Sequence, residues 1–180
     1  MAVEDSPKDY IDSVEFPRSI ELSPIGMVRS PHRERHGTPH QAPLPADPAN
    51  RSDERACIQL FPERVPASVL QDLDGFEYVW VIAWLHLNRG FNPLVAPPRE
   101  PGKKRGLFAT RAPHRPNPVG LSAARLVGIE GHRIWLERID LLDTTPVLDL
   151  KPYVPYADAF PAAAAGWVDE VAKRASESQA

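Results

Sequence analysis

Prolines set the tightest limit on what this chain can fold into. There are 21 among 180 residues, about twice the ~5% of ordinary proteins. They are scattered between apolar runs and are not gathered in one low-complexity tract. Each proline fixes its own φ, lacks an amide donor and biases the preceding residue toward extended backbone. Short strands joined by stiff, extended connections satisfy those restrictions.

The apolar pattern agrees. Residues 20–30 (IELSPIGMVRS) read as a first strand with a proline break, and 56–61 (ACIQLF) as a second. Residues 66–73 suit one or two helical turns, with Pro66 in the first turn. Residues 76–87 (FEYVWVIAWLHL) form the strongest strand, so continuously apolar that both faces are expected to be covered. Further short strands are expected at 107–110, 119–129, 133–139 and 147–150, with Gly131-His132 turning a hairpin. Residues 162–175 carry the one long helical pattern. Two long Pro-rich loops, 32–55 and 88–105, interrupt the series; such loops usually bind something or lack order. Many strands with few helices between them exclude βαβ alternation and favour a small antiparallel barrel or sandwich. No GxGxxG element follows a strand, so a nucleotide-like ligand would be held in another way.

At this length the chain supports one domain with a real core. No apolar run approaches the ~20 residues that cross a bilayer. The acidic N-terminal stretch lacks the apolar segment of a secretory signal. Cytoplasm is therefore the expected location. A single cysteine, Cys57, excludes an internal disulfide framework and a cysteine-based zinc site.

Charge is unevenly placed. The net charge is −3, yet Arg99, Lys103, Lys104, Arg105, Arg111 and Arg115 face only Glu100 in one short window, which makes that window +5. Such asymmetry suggests a local anion site, with a solvated charged loop as the plain alternative. The overlapping stretch 106–120, GLFATRAPHRPNPVG, adds stiffness. Pro113, Pro116 and Pro118 make a non-helical ribbon from which Arg111, His114 and Arg115 are expected to project at low ordering cost. Arginine forks suit carboxylate or phosphate, and Asn117 can read a base or ribose edge.

A second cluster, 139–156 (IDLLDTTPVLDLKPYVPY), carries Asp140, Asp143 and Asp149. One carboxylate could face inward toward ribose hydroxyls or a ligand's positive charge, while Asp143 and its threonines could simply cap a turn. A metal site lacks compact His-x-Asp or HExxH spacing. Pro39, His40 and Gln41 in the first loop and His86 at the end of the strongest strand are weaker candidates alone. Covalent catalysis is disfavoured, because Cys57 has no histidine partner and Ser122 is not in a GxSxG elbow.

Taken in order, PIGMVRSP, PHQ, LDGFEYVWVIAWLH, GLFATRAPHRPNPVG and DLLDTTPVLDLKPYVPYAD resemble the YaeB-like (TsaA or TrmO) family across roughly 20–158. The resemblance implies a mainly β fold: a small antiparallel β-barrel over 20–160, preceded by a flexible arm (1–19) and followed by a C-terminal helix (161–180). It implies an S-adenosylmethionine-dependent methyltransferase that modifies N6 of threonylcarbamoyl-adenosine beside the tRNA anticodon and works as a homodimer. Carried over position by position, cofactor contacts fall on Pro39, His40, Gln41, His86, Leu87, Arg111, Leu121, Asp140, Leu141, Leu142 and Asp143, with Thr110 beside Arg111. The RNA would meet Lys103, Lys104, Arg105, Arg115 and Asn117. Tyr153, Tyr156 and His114 are candidate acceptors for the departing proton. Two residues depart from the pattern: His40 stands where arginine is usual, and Thr144 where glycine is usual. A non-enzymatic nucleotide- or RNA-binding barrel and a metal-dependent hydrolase are the rival readings.

Overall fold

A computed structural model describes residues 17–34 and 55–177. The strand elements are β1 (Gly26–Arg29), β2 (Ala56–Leu60), β3 (Tyr78–Trp84), β4 (Leu94–Val95), β5 (Arg105–Gly106), β6 (Val119–Glu130), β7 (Arg133–Glu137) and β8 (Pro146–Pro152). Two short helices follow, α1 (Pro155–Asp158) and α2 (Trp167–Glu177). Six of the strands close into a barrel in the order β1-β2-β7-β6-β3-β8, every neighbouring pair antiparallel. β4 and β5 form a separate two-stranded ribbon inside the second Pro-rich loop.

Alternation fills the barrel. Val28, Ile58, Leu60, Val79, Val81, Ile134, Leu136 and Val147 are all fully buried. Each such side chain is worth about 1.5–3 kcal/mol relative to exposure. A barrel of this size has no lumen, because its interior is just wide enough for side chains. The small residues Ala56, Ala83 and Ala124 sit among the larger ones.

The β6–β7 hairpin turns at Gly131, whose φ is +59°, and pairs Glu130 with Arg133. Its register slips between Leu126 and Gly128, so Val127 has no partner in β7. Inward-facing positions on β6 therefore run Ile129, Leu126, Ala124, Ser122, with the phase reset at the bulge.

Several expectations need correction. Residues 107–110 are not a strand: Leu107–Ala109 is a 3-10 turn, closed by Thr110 N–H donating to the Leu107 carbonyl at 3.1 Å. Only Leu107 there is buried, while Phe108 is 80% exposed, so the run has no second face to bury. β3 is not covered on both faces. Val79, Val81 and Ala83 are buried, whereas Tyr78, Trp80, Ile82 and Trp84 are half-buried on the outside. The first strand is confined to Gly26–Arg29, with Ile20 and Leu22 exposed. The terminal helix starts late, since Gly166 sits at φ +58° and Asp169 caps its entry by accepting from the Ala165 amide at 2.6 Å.

Gly26 closes the β1 seam. A Cβ there would lie 2.5 Å from the Gln59 carbonyl oxygen and 2.9 Å from Leu60 Cα, both backbone atoms that cannot swing aside. Gly26→Ala should therefore cost about 2 kcal/mol or more by overpacking. Thermal melting should fall by roughly 4–8 °C for a chain of this size; an unchanged midpoint would refute the tight seam.

Candidate active site at one end of the barrel

Topology collects the candidate residues. β1 ends at Arg29 opposite Cys57 near the start of β2, β3 ends at Trp84 opposite Val119 at the start of β6, and β8 begins at Pro146 opposite Met27. One end of the barrel therefore gathers His86 and Leu87 after β3, Leu121 at the start of β6, residues 138–145 after β7, and the whole loop 88–118. The candidates Pro39, His40 and Gln41 lie outside the described residues.

The centre of this end is a hydrogen bond from a buried hydroxyl to a half-buried carboxylate. Arg125 pairs with Glu137. Beyond that pair Arg138 takes φ +61°, yet the chain stays beside β6 and brings Asp140 opposite Ser122. Ser122 Oγ donates to Asp140 Oδ1 at 2.6 Å, and Ser122 is 8% exposed. Ile139 and Leu141 plug the barrel end, each 4% exposed. Asp140 is thus oriented by a neutral donor and keeps a second carboxylate oxygen for a partner.

Asp143 serves the turn. Its Oδ1 accepts from the Ser30 amide at 3.2 Å, and its own amide donates to the His32 carbonyl at 2.7 Å. Ser30 Oγ donates to the Leu141 carbonyl at 2.9 Å. The adjacent Thr144 amide reaches the Val28 carbonyl at 2.8 Å, but with φ at +62°. That conformation is an outlier for a β-branched residue.

The loop between β3 and β6 is ordered by internal contacts. Leu85 N–H donates to the Pro118 carbonyl at 2.8 Å, joining the end of β3 to the start of β6. Arg115 does not project as expected. Its Nη1 donates to the Thr110 carbonyl at 3.1 Å and the Ala112 carbonyl at 3.4 Å, and its guanidinium lies 5.4 Å from the Phe108 ring centre. Arg105 is likewise turned inward: its Nε donates to Glu100 Oε2 at 3.1 Å, and it lies 5.1 Å from the Trp167 ring centre. Lys103, Lys104, Arg111 and Asn117 are exposed. So are the apolar side chains of Leu87, Phe108, Val119 and Leu121 on the same end.

Burial pushes the Cys57 thiol up from its ordinary value, which suits packing and not attack. Tyr153 packs on Tyr78 and Trp80 at the opposite end of β3, and Tyr156 follows it in α1. His114 is the proton-acceptor candidate that shares the loop with Arg111. Among the described residues no group of three or more His, Cys, Asp or Glu side chains is arranged to hold a metal ion, and no helix is long and apolar enough to cross a membrane.

Sequence reading missed Ser122 as Asp140's partner, and missed Glu100 and Trp167 as supports of the loop. Counting back from the Gly131 turn sets Ala123 opposite Asp140; the bulge at Val127 moves Ser122 there instead. The Glu100 signal was available, since it is the only acid in a window of six cations.

The chain is similar to known proteins over most of its length. Residues 27–159 match the family profile described as the tRNA-methyltransferase O N-terminal domain. It is 45% identical over 151 residues to the Pseudomonas aeruginosa protein RcsF, covering 82% of this chain and 63% of that protein. It is 35% identical over 156 residues to the Escherichia coli tRNA (adenine(37)-N6)-methyltransferase, covering 83% and 64% respectively. The crystal structure of TrmO from Pseudomonas aeruginosa superposes with a TM-score of 0.68 at 41% identity, covering 84% of this chain and 63% of that one. The chain thus spans a little under two thirds of the length of these relatives.

Two outcomes follow from the geometry. Left-handed backbone costs a residue with a Cβ about 1–2 kcal/mol, so Thr144→Gly should raise stability by about 1 kcal/mol after its own entropy cost. Differential scanning calorimetry should show a rise of roughly 2–4 °C; a fall would mean that the Thr144 side chain contributes more than the strain it carries. The second concerns Glu100, whose carboxyl is held below its ordinary value of 4.5, first by the hydrogen bond from Arg174 and then by that from Arg105. A depressed carboxylate stabilises the fold above its ordinary value and stops doing so as pH falls through the folded one. Amide exchange, corrected for intrinsic rates, should show 99–109 and α2 losing protection below about pH 4.5 before the barrel strands do. Simultaneous loss across all elements would contradict this.

Proposed function

The chain belongs to the tRNA-methyltransferase O family, and from that membership we propose that it transfers a methyl group from S-adenosylmethionine to an exocyclic adenine nitrogen of tRNA. The observation that carries this reading is the Ser122–Asp140 hydrogen bond at the barrel end, beside a stiff cationic loop and exposed apolar side chains. The donor set fits the cofactor's chemistry: a carboxylate for ribose hydroxyls or a sulfonium charge, an arginine for a carboxylate, and apolar surface for an adenine.

S-adenosylmethionine supplies the methyl group and the positive sulfonium when bound. Asp140, fixed in one rotamer by Ser122, accepts from hydroxyls and offsets positive charge. Arg111, exposed on the loop with a planar fork, pairs with a carboxylate. Leu87 and Leu121 exclude water from one side, with His86 beside them. Leu141, Leu142 and Asp143 offer main-chain groups from a segment whose shape β1 already fixes; Pro39, His40 and Gln41 complete the set by resemblance. Lys103, Lys104 and Asn117 face the RNA, while Arg105 and Arg115 act by shaping the loop. Alignment is what such a transfer needs most, so a rigid pocket supplies much of the rate.

The finer reading is that the target is threonylcarbamoyl-adenosine beside the anticodon and that the working unit is a cytoplasmic homodimer. The exposed strip of Leu87, Phe108, Val119 and Leu121 supports the dimer, because apolar side chains gathered at one place mark an interface or a ligand site.

Titration calorimetry with S-adenosylmethionine should give saturable binding. Asp140→Ala and Arg111→Ala should each weaken it by about tenfold or more, the loss of one charge-assisted hydrogen bond, with melting nearly unchanged for Arg111→Ala. Labelled methyl should appear in tRNA bearing threonylcarbamoyl-adenosine and not in tRNA lacking it, and sedimentation should give a dimer. No binding at millimolar cofactor would overturn the methyltransferase; binding without transfer to any tRNA would favour a binding module.

A further inference from the structure

Helix α2 contributes nothing to the barrel core: none of its residues is buried. Its contacts go to the basic loop. Trp167 Nε1 donates to the Ala109 carbonyl at 2.8 Å, and the Trp167 ring faces the Arg105 guanidinium at 5.1 Å. Arg174 Nη2 donates to Glu100 Oε1 at 2.6 Å, while Arg105 holds the other oxygen of the same carboxylate. Glu100 is therefore the hub that joins the helix to the loop, and its side chain is only 12% exposed.

The loop is built around that hub. Glu100 N–H donates to the Pro97 carbonyl at 3.0 Å, and Lys103 N–H to the Glu100 carbonyl at 3.3 Å. Gly102 turns the chain at φ +89°. With the carboxylate pointing in, the turn sends Lys103 and Lys104 out. The β4–β5 ribbon continues from it, tied by Leu107 N–H to the Pro93 carbonyl at 2.9 Å. Along the ribbon runs an open groove of about 570 Å³ lined by Asn92, Pro93, Leu94, Val95, Ala96 and Lys104.

We infer that α2 clamps the basic loop through Glu100, Arg105, Arg174 and Trp167, so that Lys103, Lys104 and the groove beside them are preset for the phosphates of the RNA substrate. Glu100 is a positioning residue: it touches neither cofactor nor RNA and acts through the turn it anchors. This inference rests on the tRNA reading above. The one acid of the loop is turned away from the RNA and neutralised by two arginines, which leaves the outward charge positive.

The sign of one substitution separates this from simple electrostatics. Glu100→Gln removes a negative charge beside a polyanion site, so Coulomb attraction alone predicts equal or tighter RNA binding. The clamp predicts weaker binding, because the loop must be ordered anew on association. Fluorescence anisotropy with unmodified and modified tRNA should show Kd rising about three- to tenfold for Glu100→Gln and for the neutral change Trp167→Ala. Trp167→Phe, which keeps a ring for Arg105, should recover part of the loss. In turnover the KM for tRNA should rise with kcat held, and the calorimetric Kd for S-adenosylmethionine should not move. Unchanged or tighter RNA binding in Glu100→Gln would overturn the clamp, as would an equal loss of cofactor affinity. Wild-type chain that binds tRNA without methylating it would sink the methyltransferase reading alone, since the same anisotropy series still reads the clamp; wild-type chain that binds no tRNA would sink both.

Discussion

A closed barrel with a filled interior leaves its chemistry only the ends. Every barrel strand has two hydrogen-bonded neighbours, so the barrel offers no edge to a ligand, and the inward side chains meet with no lumen between them. Irregular backbone, buried polar atoms and positive φ angles are tolerated where the ladder stops. Arg138 and Thr144 both sit in the short segment that crosses one barrel end, and Asp140 lies between them. The candidate site lies at this end, where the closed sheet leaves room for such backbone.

The loop from β3 to β6 meets a related demand. It sets seven lysines and arginines against the single acid Glu100, and like charges on a free loop would spread it. Two of those cations are turned inward, Arg105 onto Glu100 and Trp167, Arg115 onto carbonyls of its own ribbon. The repulsion is thereby converted into internal contacts, and the remaining cations point outward from a defined shape. Proline stiffness alone, read from 106–120, accounts for only part of this order.

Much of the fold was legible because it rests on short-range physics. The short apolar run of β2, the aromatic and β-branched run of β3 and the Gly131 turn each predict their own local geometry. What escaped depends on partners distant in sequence. The two-residue strands β4 and β5 are too short to show a period. The apolar run 107–110 resembles a strand, yet it has only Leu107 to bury. Arg115 looked like a projecting cation because its acceptors are carbonyls of a turn that a sequence does not display, and Arg105 because its ring partner, Trp167, is distant in sequence. At the site, Asp140 and Asp143 were seen as a pair with two fates, and the structure gives one to a buried hydroxyl and the other to a turn.

The bulge at Val127 couples places far apart. β6 is one continuous rod of twelve residues, with the bulge toward its hairpin tip and Ser122 toward the barrel end. Pairing Val127 in a straight ladder of the same length would shift the inner half by one step and exchange the Ser122 hydroxyl beside Asp140 for the Ala123 methyl, whereas deleting the bulged residue would heal the ladder and leave Ser122 in place. What the carboxylate meets is thus set by the phase of a remote bulge and not by distance: the ladder must either keep its extra residue unpaired or lose it for Ser122 to face Asp140.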